Sequence, residues 1–417
     1  MTTNKTTRHS HQLSRRDFIV AAGASVLTAA QAQSSEGSKI KNGIVVRVDA
    51  GPVDRLNELV SFPVDPKARF SNWQEGTSRL VLSRLNERGE VVSDVPCQFE
   101  PETRQLSWLT GHLRKGESAQ YGICCSSKAP AQSKRYRIEQ KPAHLMINVD
   151  DALFARYNFL GVWKPYFWPV NGSAGSVVRG AGGGDHPHHT GLYLAYGGHG
   201  EGGSANIWSD WDEPPYGPCG KMLHQRFARL TEGPVYAEFV EEIIYVKGNG
   251  DKILDEKRVS RIWFADNGAR FLDLSFETTK PLDVGKKPFM LVARLAPSMN
   301  IPKEGHVENS EGKIGRQEVQ RKRAKWVDCA GKVGKGINGI CLFDHPQNPE
   351  YPGMWGEVAV APQMTVVHHS PDKLPQDRFH LKFRVCIHDG NAKDAQMDAR
   401  YQSYASPMKV ASCQPCP

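Results

Sequence analysis

Between Asn42 and Lys128, apolar and polar residues alternate with a period close to two, in runs such as GIVVRVDA, SRLVLSRLN, CQFEPETRQLSWL and SAQYGICCSS. Gly, Pro, Asp and Asn separate the runs. Period-two alternation sends every second side chain to one face, which predicts half-buried strands and a small β-sandwich. The polar stretch 126–135, SSKAPAQSKR, predicts a linker. From Tyr136 onward the alternation resumes in longer runs: AHLMINVDD, AEFVEEIIYV, RVSRIWFA, ARFLDLSFETT, FMLVARLA, GICLFDHP, VAVAPQMTVVHH and FHLKFRVCIHD. Outside the leader, no helical repeat exceeds two turns. Near the end, Met397, Tyr401 and Tyr404 stand at helical spacing and predict one short helix. The expected architecture is all-β, with a small N-terminal β-sandwich (42–128) followed by a large antiparallel β-supersandwich (136–395). Residues 396–417 read as a C-terminal tail.

Composition sharpens this picture. A chain of 417 residues is too long for one ordinary core, and its 39 glycines and 27 prolines favour short elements joined by many turns. Residues 1–32 read as a twin-arginine-type signal peptide. Arg15 and Arg16 precede a short apolar stretch, and small residues at Ala30 and Ala32 suit cleavage after Ala32. The stretch is too short and too interrupted to span a membrane, and no later segment reads as a spanning helix. The expected location is therefore periplasmic or secreted. The leader carries +3 of the formal net charge of +8, leaving a mild +5. No basic run is interleaved with aromatics, which argues against nucleic acid as a partner. The densest basic run, RQEVQRKRAK at 316–325, suits a solvated face or contact with an acidic polysaccharide. Nine cysteines without a paired CxxC pattern give no zinc ribbon.

The candidate chemistry starts in GGGDHPHHTGLYLAYGGHG, residues 182–200, which holds four of the fifteen histidines. If the segment enters a strand, His186 and His188 share one face and His189 takes the other. The pair His186 and His188 could hold one divalent metal, with Asp185 orienting an imidazole. Alternatively, His188 and His189 could move protons, because imidazole titrates near neutral pH. In NIWSDWDEPPYG (206–217), Trp208 offers an aromatic face for a sugar ring. VWKPYFWPVNGSAG (162–175) adds Lys164 and Tyr166. Arg294 interrupts an apolar strand and needs an acidic partner or an anionic ligand, since an unpaired buried charge is costly. HVENSEG supplies Glu308 as a candidate carboxylate. The Pro-rich loop FDHPQNPEYPGMW supplies His345 and Asn348 as further pocket residues.

Several of these segments, KPYFWPV, DHPHHTGLY, NIWSD, VARLAPSM, FDHPQNPEYPGMW and LKFRVCIHDG, occur in an order that resembles the PmoA-like family. The resemblance covers roughly Tyr136 to Gly390. The family label, "methane oxygenase PmoA", implies a copper monooxygenase subunit, an activity that would call for spanning helices. The family also resembles exported proteins with a galactose-mutarotase-like supersandwich. That likeness implies an acid/base role for His188 or His189, with Glu308 and Glu357 as candidate acidic partners. Thr190 stands where the family pattern has arginine. Taken together, the sequence predicts an exported carbohydrate-active enzyme, a glycoside hydrolase or polysaccharide lyase. Its catalytic residues would be His188, His189, Arg294 and Glu308, its substrate contacts Lys164, Tyr166, Trp208, His345 and Asn348. A non-catalytic glycan-binding protein is the alternative, and a copper redox protein a third reading.

Overall fold

Two sandwiches carry the chain. The computed structural model describes residues 37–40, 42–128, 132–181, 188–197, 205–213, 217–265, 268–279, 287–299, 305–356, 363–369 and 378–413. In the small unit, a five-stranded antiparallel sheet runs in the order Lys409–Cys413, Ile44–Asp49, Ser118–Ser126, Arg79–Leu85 and Val91–Val95. A three-stranded sheet of Leu59–Pro63, Gln105–Leu109 and Cys97–Glu100 packs with it around Val46, Leu82, Leu106, Trp108 and Ile123. The strand Lys409–Cys413 lies in the stretch expected to be a tail. It pairs with Ile44–Asp49 and completes the first sandwich from the far end of the chain. Five residues of weak alternation carry too little pattern to reveal that pairing.

The large unit is a pair of eight-stranded sheets. The first runs Tyr136–Gln140, His144–Val149, Ala152–Asn158, Tyr166–Val170, Leu192–Tyr196, Pro288–Arg294, Gln363–His369 and Met354–Trp355. The second runs Lys221–Thr231, Ala237–Val246, Lys252–Phe264, Arg270–Thr279, Arg378–Asp389, Gly336–Asp344, Trp326–Val333 and His306–Asn309. Their facing side chains, among them Leu145, Phe167, Leu194, Phe239, Leu272 and Val385, form one apolar core. Among the described residues no helix is long and apolar enough to cross a membrane.

The outer face of the second sheet is covered. Trp263, Phe271 and Phe343 pack against Met397 and Tyr401 of the helix Met397–Ala405 and against Leu59 and Leu109 of the small unit. Buried charge fastens this side. Arg384 meets Asp273 at 2.5 Å and Glu58 of the small unit at 3.3 Å, and its guanidinium lies over Trp263 and Tyr404. Arg55 donates to the carbonyls of Ser403 and Ser406 at the end of the helix, where a cation also meets the negative end of the helix dipole. Helix and small unit therefore lie on the outer side of the second sheet.

A polar network runs through the core between the sheets. Glu256 takes Arg258 Nε at 2.6 Å and the hydroxyl of Tyr245, while Arg258 Nη1 donates to Tyr157 Oη at 2.9 Å. Tyr157 donates to Glu241 at 2.5 Å, and Glu241 reaches His224 at 2.7 Å. In register, Glu241 stands between the core residues Phe239 and Ile243, so its inward position follows from the strand's period.

A second buried pair, His388 with Asp328 at 2.7 Å, makes stability depend on pH. Burial by itself would lower the imidazole pKa, but the Asp328 carboxylate outweighs it and the net shift is upward. A raised folded-state pKa gives stability that is full below the unfolded value of about 6.5 and is lost as pH rises through the folded value. Urea midpoints of the wild type are thus expected to fall from mildly acidic to alkaline pH, with a shallower fall in His388→Gln. An equal slope in the variant would show that the pair carries none of it.

Candidate functional site

The strands Leu192–Tyr196, Pro288–Arg294 and Gln363–His369 lie side by side, with Tyr193 opposite Val292 and Val292 opposite Thr365. Leu192, Leu194, Phe289, Leu291, Met364 and Val366 face the core. The alternate residues, Tyr193, Val292, Arg294, Gln363 and Thr365, therefore face outward. This outward face is buried as well, and Trp208 covers part of it. Trp208 packs with Tyr193, Ala195, Met290 and Val292. Its position is set by two bonds, one from Trp208 N to Asn206 Oδ1 and one from Ile207 N to Tyr196 O. Lys164 locks the same segment from below, donating to Asp210 Oδ1 at 2.5 Å and to Trp208 O at 3.1 Å. Burial raises the Asp210 pKa, with Lys164 opposing the rise.

Three polar atoms on this face have no hydrogen-bond partner among the described residues: the Tyr193 hydroxyl, the Thr365 hydroxyl and Gln363 Oε1. All three side chains are more than nine-tenths buried. Leaving such a group unmet costs about 1–3 kcal/mol, so a polar ligand that reaches them recovers that cost. Arg294, which is fully buried, stands opposite Gln363 in the same face. Burial raises the Tyr193 phenol pKa far above its ordinary value. Asp210 raises it further, and Arg294 and Arg179 act in the opposite direction. The phenol thus keeps its proton at neutral pH and can donate it.

His188 and His189 lie beside Trp208. Their rings meet edge to face at 4.3 Å, and His189 meets Trp208 in the same way at 5.0 Å. The turn that brings them there depends on Gly191. Its φ is +66°, and a Cβ at this position would stand 2.0 Å from Phe167 O. Backbone bonds from Gly191 N to Arg179 O and from Arg294 N to Gly191 O tie the turn to both arginines' segments.

Six residues expected in a site come together here: Lys164, Tyr166, His188, His189, Trp208 and Arg294. Lys164 acts as the anchor of the Trp208 segment, and Tyr166 is half-buried beside Tyr193 in register. The other three expected residues stand elsewhere. Glu308 is opposite Asp328 at the edge of the second sheet, 3.5 Å from His306. His345 packs on Tyr404 of the helix at 5.0 Å, and burial, with Lys382 adding to it, lowers its pKa to about 4. Asn348 is buried and spends its side chain on Asp344 and the Lys382 backbone. The start of the proline-rich loop, with His345 and Asn348, thus stands beside the second sheet, while its end, Met354–Trp355, joins the edge of the first. The expectation that His345 and Asn348 join the histidine turn in one pocket is corrected, because both are taken up at the helix and the second sheet. His368 is also structural, held by Asp344 at 2.9 Å within the core.

His186, Asp185 and Glu357 lie outside the described residues. Among the described residues, no group of three or more His, Cys, Asp or Glu side chains converges as a metal site. Tyr193, Gln363, Thr365, Arg179 and Asp210 were not singled out from the sequence. Gln363 and Thr365 carried a signal, being polar at alternate positions of an otherwise apolar strand.

A family of unknown function, DUF6807, matches residues 144–402. No curated protein matches the chain. Among solved structures, it is similar to a protein in the glycosyl hydrolase family 38 from Enterococcus faecalis, with a TM-score of 0.47 and 9% identity. That match covers 91% of this chain and 49% of the other, so the chain spans about half the length of that protein.

Proposed function

This chain belongs to the DUF6807 family, whose function is unknown, and we propose that it is a carbohydrate-active enzyme that cleaves an acidic glycan by elimination. The observation that carries this reading is the buried row of Tyr193, Thr365 and Gln363 polar atoms beside Arg294. Hydroxyls and a carboxylate on a sugar ring supply the hydrogen-bonding complement of that row, and an arginine pairs a carboxylate in bidentate fashion. Trp208 offers an edge of apolar surface to the ring. Glycoside hydrolysis in its common forms uses two carboxyl groups flanking the bond. Here the carboxylate that acts on Tyr193 is Asp210, and it is engaged by Lys164.

In the eliminative step, Arg294 draws charge onto the sugar carboxylate and makes the neighbouring C–H acidic. His188 or His189 takes that proton as base. The electron pair forms the C–C double bond, the glycosidic C–O bond breaks, and Tyr193 Oη gives its proton to the departing oxygen. Each proton has a donor and an acceptor among these side chains. The reading includes export by the twin-arginine-type leader and a mutarotase-like supersandwich as the scaffold.

The test is to incubate the protein with uronate-containing and neutral polysaccharides, following both ultraviolet absorbance of the unsaturated product and new reducing ends. Absorbance from a uronate polymer is expected, and Arg294→Gln is expected to lower its rate by about 100-fold or more. Reducing ends without absorbance would replace elimination by hydrolysis. No product from any uronate or neutral polymer would overturn the enzyme reading.

A further inference from the structure

Resting on that reading of the site, we infer that the substrate is a polyanionic glycan chain, held at its far end by the basic run Arg316–Lys325. The strand register places Arg323 of this run on the same outer face as the pocket. Ala195 stands opposite Met290, Met290 opposite Val367, Val367 opposite Met354, and Met354 forms a bridge with Arg323. Residues so paired present their side chains on one face. One row therefore leads from the strand of Tyr193 to Arg323 across four strand spacings, or about 19 Å. That is the reach of a short oligosaccharide, not of one sugar.

The row changes character along its length. Met290 and Val367 pack beneath Trp208, and Met354 is 44% exposed, giving an apolar shelf for the flat side of sugar rings. Beyond Met354 the charge is one-sided. The run holds Arg316, Arg321, Lys322, Arg323 and Lys325 against a single acid, Glu318. Arg321, Lys322, Arg323 and Lys325 are all exposed. Ala324 belongs to the core, so Arg323 and Lys325 on either side of it turn outward. Arg323 Nη1 donates to the carbonyls of Glu350 and Pro352 at 2.6 and 2.7 Å. Carbonyls orient the guanidinium without cancelling its charge, so it is positioned in advance for an anionic group. The carboxylate of Glu350 is taken up by His369 at 2.9 Å. A neutral chain would gain nothing from such an end, whereas a chain with a carboxylate on successive sugars meets Arg294 at one end and this rim at the other.

The test compares long oligogalacturonate with monomeric galacturonate by isothermal titration, on the wild type and on Lys322→Glu/Lys325→Glu. Both lysines are exposed, so the double variant keeps the fold; its melting temperature checks this. The wild type is expected to bind the oligomer more tightly than the monomer, and added salt is expected to weaken the oligomer more. The double variant is expected to lose about tenfold or more in oligomer affinity, with monomer affinity unchanged. Equal oligomer affinity in wild type and double variant would overturn the inference while leaving the pocket intact, provided that Arg294→Gln weakens both ligands. Absence of binding by either saccharide would overturn the pocket reading as well. Tighter binding of a single-stranded oligonucleotide than of the oligogalacturonate would assign the rim to another polyanion and overturn the glycan assignment.

Discussion

Replacing Arg258 by methionine is expected to lower the free energy of unfolding by about 3–5 kcal/mol, read as a shift of the urea midpoint at constant slope. Methionine approximates the arginine stem, but not the guanidinium, which lies over the Phe276 ring. What it removes is the cation. Glu256 would then keep its carboxylate in the core with only the Tyr245 hydroxyl to meet it, and Tyr157 would lose the donor that holds it toward Glu241. An uncompensated buried charge is among the most destabilising changes a core can undergo, whereas removing both partners is far milder. Arg258→Met/Glu256→Gln is therefore expected to recover part of the loss. A loss below about 1 kcal/mol in the single variant would show that the network is solvated and contributes little. Should Arg258→Met fail to fold, Arg258→Lys retains the charge and is expected to fold with an intermediate midpoint.

The second large effect concerns turnover. His188→Ala and His189→Ala are each made at a buried ring of the pair beside Trp208. The one that removes the base is expected to lower kcat by about 100- to 10,000-fold, the usual contribution of a positioned acid or base. Glycan affinity, carried by Arg294 and the polar row beneath, is expected to change by less than about tenfold. The other histidine variant is expected to alter KM more than kcat. The two rings touch, so single and double variants are to be compared, and the double is expected to fall little below the worse single. Normal affinity in all variants, with no turnover by the wild type, would instead identify a glycan-binding protein.

The extent to which the site was legible in the sequence differs from residue to residue. The histidine turn announces itself through composition, and Arg294 through its incongruity in an apolar strand. Trp208 follows from the aromatic density of its loop. Gln363 and Thr365 stand at alternate positions where the period of the strand assigns them to the face opposite Met364 and Val366. That pattern was present but does not distinguish a solvated face from a covered one. Tyr193 could not be singled out at all. In LYLAY every residue is apolar or aromatic, and all five are buried. Only the cover supplied by Trp208 makes its outward hydroxyl part of a pocket.

The misplaced residues fail for a related reason. His345 and Asn348 lie in a loop as rich in polar and aromatic residues as the true neighbours of Arg294. Glu308 has the right chemistry for a missing carboxylate. Composition ranks such segments alike, because it carries no information on which sheet a strand joins. Glu241 and Glu256 are the converse case. They occupy the core-facing positions of their strands, and the period of two says so, yet a carboxylate in a core is costly enough that its register is easily discounted.

By itself, the amino-acid sequence determined the all-β class, the succession of a small and a large sandwich, and the short helix, since these rest on local alternation and on turn residues. Tertiary structure alone decided that Lys409–Cys413 returns to the first sandwich, that helix and small unit cover the second sheet, and that Trp208 packs on the outer face of the first. It also decided which polar side chains share that face. Period-two alternation specifies the side of its own strand on which a residue lies, but the strands that come to flank it are chosen by the burial of a whole sheet, whose contacts join residues far apart in the chain.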